Sequence, residues 1–276
     1  MTYATIMVCL ALDQANDARL EVAGELADRF EARIVGIAAA QFGPPLYFAD
    51  GKQAQELIDQ GEASIKERLA EIEAQFRGAT KHRSGPVEWR GALEFPARYM
   101  LQEARCADLI VSGGHSPAIS DSFAFASPKD LVMQAGRPLL VAPDTVNWLD
   151  LRSVLVAWKD TPEARRAVAD SMPLLRKAKE ITVAEIVEDG NRSNAISRVK
   201  DVVGWLSRHG VSASERIPEI DESRKAAIQL DEIADVVGAG LIVAGAYGHS
   251  RLRELILGGM TQHLLTRSTR CVLLSH

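Results

Sequence analysis

The chain is poor in cysteine: Cys9, Cys106 and Cys271 are the only three in 276 residues. An odd, widely spaced set argues against a disulfide framework and suits a reducing compartment, the cytoplasm. There is no excess of positive charge either. The 32 Lys and Arg stand against 37 Asp and Glu, a net charge of -5, so the basic face expected of a nucleic-acid binder is missing. Near the start the longest apolar run is Ile6 to Leu12, with no basic region before it. That is too short for a membrane span and does not have the form of a signal peptide. Metal-ligand sets are missing as well. His115 and His249 have no second His, Cys or carboxylate at ligand spacing and read as solvated loop residues. His263 reads as a helix-surface residue and His276 as a fraying terminus. The cysteines read as small buried hydrophobes.

The chain does contain a duplication. TIMVCLALD (Thr5 to Asp13) returns as SVLVAWKD (Ser153 to Asp160), and ADLIVSGGHS (Ala107 to Ser116) as AGLIVAGAYGHS (Ala239 to Ser250). GRPLLVAP (Gly136 to Pro143) returns as TRCVLLSH (Thr269 to His276). The order is kept, so residues 1–145 and 152–276 are expected to be two copies of one domain, with a polar seam near Asp144 to Arg152. A hydrophobic fraction of 47% and a charged fraction of 25% are those of a globular protein.

Within each copy short apolar strands alternate with amphipathic helices. The first copy predicts strands at Thr5–Leu12, Arg33–Ala38, Val87–Arg90, Leu109–Ser112 and Leu139–Ala142. The second predicts Val154–Trp158, Ile181–Val187, Ser212–Ile217, Leu241–Ala244 and Cys271–Ser275. A helix with Ala164, Ala167, Val168, Ser171 and Leu175 on one face follows Thr161-Pro162, an N-cap and a first helical position. Its counterpart carries Leu20, Ala23, Ala27 and Phe30 on one face. Strands of this kind separated by helices predict an α/β fold: in each copy a doubly wound, open, five-stranded parallel sheet with helices on both faces. Ligands of such sheets sit beyond the strand C-terminal ends, where the strand order reverses.

GAYGHSRLRELILGGMT, Gly245 to Thr261, follows the fourth strand of the second copy. Glycines at 245, 248, 258 and 259 let the backbone approach an anion closely, and the helix start after them offers free N–H groups and the positive end of a dipole. Arg251 and Arg253 read as a solvated face. SGGHS (Ser112 to Ser116) superficially resembles the loop of ATP pyrophosphatases, but it follows the fourth strand rather than the first and has no Asp. The Pro-Pro turn with Phe42, Tyr47 and Phe48 reads as a loop packing back on its own domain.

The spacing Gly245-x2-Gly248-x9-Gly258, then Gly259-Met260-Thr261, resembles the nucleotide loop of the universal stress protein family. VLVAWKDTPEARRAVADSMPLL resembles that family's first strand and helix, and RPLLVAP and CVLLSH its fifth strand. The resemblance covers essentially the whole chain and is that of a tandem member. It implies an adenine-nucleotide alpha-hydrolase-like domain in each half, with ATP, with or without Mg2+, as the ligand. It further implies that Asp160 faces the adenine and that Val187, ending the second strand, meets the base through its backbone. Gly245 and Gly248 would line the ribose and phosphates, and Gly258, Gly259 and Thr261 would hold the phosphate tail. Gly259 departs from the family, which has Ser or Thr there; the lost hydroxyl is worth about 0.5–1.5 kcal/mol.

In the first copy Asp13 matches the adenine-facing position, but Ala126-Ser127 and Pro128 stand where the phosphate glycines would be, which implies a degenerate loop. Asp13 and Asp160 also suit helix N-termini. No general base or nucleophile stands out, so the expected mechanism is ligand-biased conformational change in stress response or nucleotide-dependent regulation. A nucleotide-free interaction protein and a slow ATP hydrolase are the alternatives. The two halves are expected to pair about a pseudo-twofold axis, and the sequence leaves homodimer formation and the identity of any regulatory partner open.

Overall fold

The computed structural model describes residues 2–43, 51–114, 122–187, 190–219, 221, 223–247 and 259–276. In the first half β1 (Thr5–Cys9), α1 (Asp17–Phe30), β2 (Arg33–Ala39), α2 (Gly51–Thr80) and β3 (Val87–Ala92) come in succession. They are followed by α3 (Pro96–Glu103), β4 (Leu109–Gly113), α4 (Pro128–Gln134) and β5 (Leu139–Ala142). The second half repeats the plan with β6 (Ser153–Ala157), α5 (Pro162–Leu175), β7 (Glu180–Ala184), α6 (Arg192–Arg208) and β8 (Ser214–Arg216). It closes with α7 (Ala226–Val236), β9 (Leu241–Gly245), α8 (Gly259–Arg267) and β10 (Cys271–Ser275).

Each half is the doubly wound parallel sheet that the sequence predicts, and the two sheets are one. The strand order is β3-β2-β1-β4-β5-β10-β9-β6-β7-β8. Every described pair is parallel except β5 with β10, where Val141, Leu140 and Leu139 face Val272, Leu273 and Leu274. Because that central pair is antiparallel, the strand C-terminal ends of the two halves open at opposite ends of the sheet.

Strand side chains alternate between the two faces. Ile6 and Val8 of β1, with Cys271 and Leu273 of β10, pack under α1, α2, α5 and α6. Met7 and Cys9, with Val272 and Leu274, pack under α3, α4, α7 and α8. Both cores run across the β5–β10 seam without a break. The connection from Ala142 to Ser153 is less polar in space than in sequence. Leu149 and Leu151 are buried in it, and the Leu149 N–H donates to the Glu25 carboxylate at 2.8 Å. Tyr3 and Phe30 pack edge to face nearby.

Several local expectations change. β1 stops at Cys9 and β7 at Ala184, short of Leu12 and Val187, because the chain has passed its last ladder partner. Cys106 is exposed in a short 3-10 turn, whereas Cys9 and Cys271 are buried. His263 is half-buried against Asp231, Nε2 to Oδ2 2.6 Å, rather than on a free helix surface. His276 is held by Nδ1 to the Ala246 carbonyl at 3.0 Å. Phe42 lies against α2 at Gly61; the Pro-Pro turn, Tyr47 and Phe48 lie outside the described residues.

Candidate functional site

In the second half the strand order reverses between β6 and β9, the two strands that lie side by side while their crossovers run to opposite faces. The chain leaves β6 through Trp158, whose N–H donates to the Ala184 carbonyl at 2.7 Å. Its ring is buried and its indole Nε1 has no partner. Lys159 and Asp160 are exposed. Asp160 pairs with Arg165 at 2.5 Å. It lies ahead of the helix, not in its first turn, and Asp13 likewise precedes α1 and pairs with Arg68 of α2. The acidic first-turn positions belong to Asp17 and Glu163.

Thr161 caps α5 as the sequence predicts, its Oγ1 accepting the Ala164 N–H at 3.3 Å, with Pro162 in the first turn. Glu163 follows, 6% exposed. One of its oxygens lies 3.5 Å from Arg166 and the other, Oε2, is buried without a partner. Gly245 ends β9 against this same turn. A Cβ there would stand 2.5 Å from the Ala164 nitrogen and 2.7 Å from the Glu163 carbonyl carbon. The absence of a side chain therefore lets strand and helix meet backbone to backbone.

Beyond β9, Tyr247 takes a left-handed φ of 52°. Its N–H donates to Thr261 Oγ1 at 3.2 Å, so the Thr261 hydroxyl, 4% exposed, already holds the loop to α8. The Tyr247 hydroxyl is buried without a partner, and burial, then the charge of Asp130, pushes its pKa up. Gly259 is the first residue of α8, with open space where a side chain would be. Val187 is buried three residues past the end of β7.

Asp160, Val187, Gly245, Gly259 and Thr261 thus lie on segments that leave β6, β7 and β9 at their C-terminal ends or begin α8. Gly248 and Gly258 lie outside the described residues, as do His115, His249, Arg251 and Arg253. Sequence reasoning passed over Trp158, Glu163 and Tyr247. The first was legible as the end of an apolar run and the second as an acid at a helix start, but an unpaired buried atom has no sequence signature. Among the described residues no group of three or more His, Cys, Asp or Glu is placed to hold a metal ion, and no helix is long and apolar enough to cross a membrane.

Two halves of one α/β plan, each reversing its strand order once, define a tandem doubly wound architecture. Among solved structures this fold is that of a tandem universal stress protein. One from Archaeoglobus fulgidus DSM 4304 is similar at 16% identity and a TM-score of 0.70, with 99% of this chain and 98% of that chain covered. A functionally unknown protein from Pseudomonas aeruginosa PAO1 is similar at 16% identity and a TM-score of 0.56, with 99% and 92% covered. No protein-family profile and no curated relative matches the chain.

Proposed function

We propose that this chain is a tandem universal stress protein that binds an adenine nucleotide, ATP, at the β6–β9 switch point of its second half. Its domains are residues 1–145 and 152–276, and it acts in the cytoplasm in stress response or nucleotide-dependent regulation. The observation that carries the reading is the pair of unpaired buried atoms at that switch point. Trp158 Nε1 is a donor without an acceptor and Glu163 Oε2 an acceptor without a donor. Buried polar groups without partners are costly and uncommon. A purine edge, which presents ring-nitrogen acceptors beside an amino donor, matches both.

The residues therefore fit the ligand. Asp160 and Val187 would face the base, with Trp158 and Glu163 beside them, and Gly245, Gly248, Gly258, Gly259 and Thr261 would line the ribose and phosphates. The N-terminus of α8 is the natural place for the phosphate charge. ATP would supply a flat base and a charged tail; the chain would supply orientation and a loop whose position depends on that occupant. Mg2+ would enter on the phosphates. Gly259, without a hydroxyl, and Thr261, with its hydroxyl already engaged by Tyr247, favour a second reading, a nucleotide-free interaction protein.

Mass spectrometry of small molecules released from the purified protein, with calorimetric titration of ATP into wild type and Trp158→Phe, separates the two. Adenine nucleotide bound at micromolar levels, and weakened several-fold in the variant, is the expected result. No nucleotide and no binding at millimolar ATP would leave the second reading standing.

A further inference from the structure

The N-terminal half reverses its strand order between β1 and β4, and a cation is buried at that point. Arg19, third residue of α1, is 1% exposed. Its Nη1 donates to the carbonyl of Cys9, the last residue of β1, at 3.2 Å. Its Nη2 donates to Gln14 Oε1 at 3.0 Å. Its Nε lies 2.9 Å from where a Cβ on Gly113, the last residue of β4, would stand. The guanidinium thus bridges the ends of the two central strands and the first turn of α1. Two donors of this pair are left over: Arg19 Nε and Gln14 Nε2 are both buried without a partner.

Everything unsatisfied here has the same sign. The guanidinium is out of water and forms no salt bridge among the described residues; burial lowers its pKa, and Asp144 and the Cys9 thiol oppose that only in part. It stands in the first turn of a helix, where the dipole disfavours a cation. No side chain caps α1, because the Asn16 amide is engaged with Ala11, meeting its N–H and its carbonyl at 3.0 Å each. In the second half Thr161 does cap α5. The acids next in sequence have other partners, Asp13 in Arg68 and Asp17 in Gln75. At the second switch point an orphaned donor, Trp158 Nε1, accompanies an orphaned acceptor, Glu163 Oε2, whereas here both orphans are donors. A purine edge, which needs both kinds, does not match them; a negatively charged acceptor does.

We propose that the N-terminal switch point binds an oxyanion, the carboxylate or phosphate group of a small molecule, with Arg19 Nε and Gln14 Nε2 as its side-chain donors. Arg19 and Gln14 hold each other through Nη2 and Oε1, so the two free donors are set before the ligand arrives. An anion there pairs with the buried guanidinium and complements the uncapped start of α1. The two halves then carry unlike sites at opposite ends of one sheet. The anion site does not rest on nucleotide binding by the second half.

The test is an anion titration without nucleotide. Wild type is melted in sodium acetate and in sodium phosphate, each against sodium chloride at matched ionic strength, and titrated with the same anions by calorimetry. At least one is expected to bind and to raise the melting temperature saturably at millimolar levels, and which one does so tells a carboxylate from a phosphate site. Gln14→Leu removes one free donor, and Arg19→Lys keeps the charge but removes the other. Each should weaken that binding by about tenfold or more, the worth of one charge-assisted hydrogen bond. If Arg19→Lys does not fold, Gln14→Leu decides alone. Wild type indifferent to both anions overturns the proposal. So does binding that survives the substitutions, since phosphate held at α8 of the second half would do so. Loss of the ATP reading leaves this result untouched.

Discussion

Leu140 of β5 and Leu273 of β10 face each other across the antiparallel pair that joins the two halves, and both are completely buried. Parallel pairing inside each half and antiparallel pairing between them turn two copies of one unit into a single layer of ten strands. Apolar cores on both faces cross that line. Either half expressed alone would present β5 or β10 as an open apolar edge, a template for association. Residues 1–145 and 152–276 made separately are therefore expected to self-associate and to elute as dimers or larger species in size-exclusion chromatography.

Tyr3 adds a polar stitch at the same seam. Its hydroxyl donates to the Asp170 carbonyl of α5 at 2.7 Å, 167 residues away in sequence. Tyr3→Phe keeps the ring against Phe30 and removes only that bond. The loss should be about 0.5–1.5 kcal/mol, read from chemical denaturation curves with an unchanged slope.

The three thiols should divide into two classes. Burial pushes the Cys9 and Cys271 thiols up to about 12, from 9.0 when unperturbed, while Cys106 is exposed. A thiol reagent should titrate one cysteine in the native protein and three in denaturant. The sign of the pH effect follows. Below pH 9 both states keep these protons and stability is unaffected. Between 9 and 12 the unfolded chain loses them and the fold does not. Stability then falls by up to about 1.4 kcal/mol per pH unit for each thiol. Replacing both with alanine should flatten that decline in denaturation measured from pH 8 to 11.

Two glycines of the same loop should behave in opposite ways. Gly245→Ala drives a methyl group into the backbone of α5 and should cost about 1–3 kcal/mol of stability. Gly259→Ser meets open space and restores a hydroxyl at the start of α8. ATP should then bind roughly two- to tenfold more tightly, one hydrogen bond's worth, with little change in melting temperature. Calorimetry and thermal melts on the pair separate the glycine that builds the fold from the one that limits the ligand.

Glu185, 5% exposed one residue past β7, is gripped by Arg198 of α6 through Nε at 2.9 and 3.2 Å. Arg198→Met keeps the length of the side chain but strands a buried carboxylate. The expected loss is about 3 kcal/mol, and Glu185→Gln in the same chain should recover part of it. A double-mutant cycle measures the coupling.

Much of this was legible in the sequence because its signals are local. Thr161-Pro162 marks a helix start by the geometry of two residues. Leu139–Ala142 and Cys271–Ser275 match their strands because short apolar runs bounded by turns leave little choice of ends. Val187 was read as a strand end and is not one, since a strand stops where its neighbour stops donating and accepting, which no single run of residues records. His263 looked like a surface residue because its partner, Asp231, belongs to another helix.

The sequence by itself determined the duplication, the α/β alternation within each half and the glycine spacing after β9, all carried by periodicity and by residues a few positions apart. Only the tertiary structure decided that the two sheets fuse through β5 and β10, that the two switch points face opposite ends, and that one of them is bridged by Arg19. Those outcomes depend on which apolar edges find each other and on the space left beside a distant glycine. Pairing and volume of that kind exist only once the chain is folded.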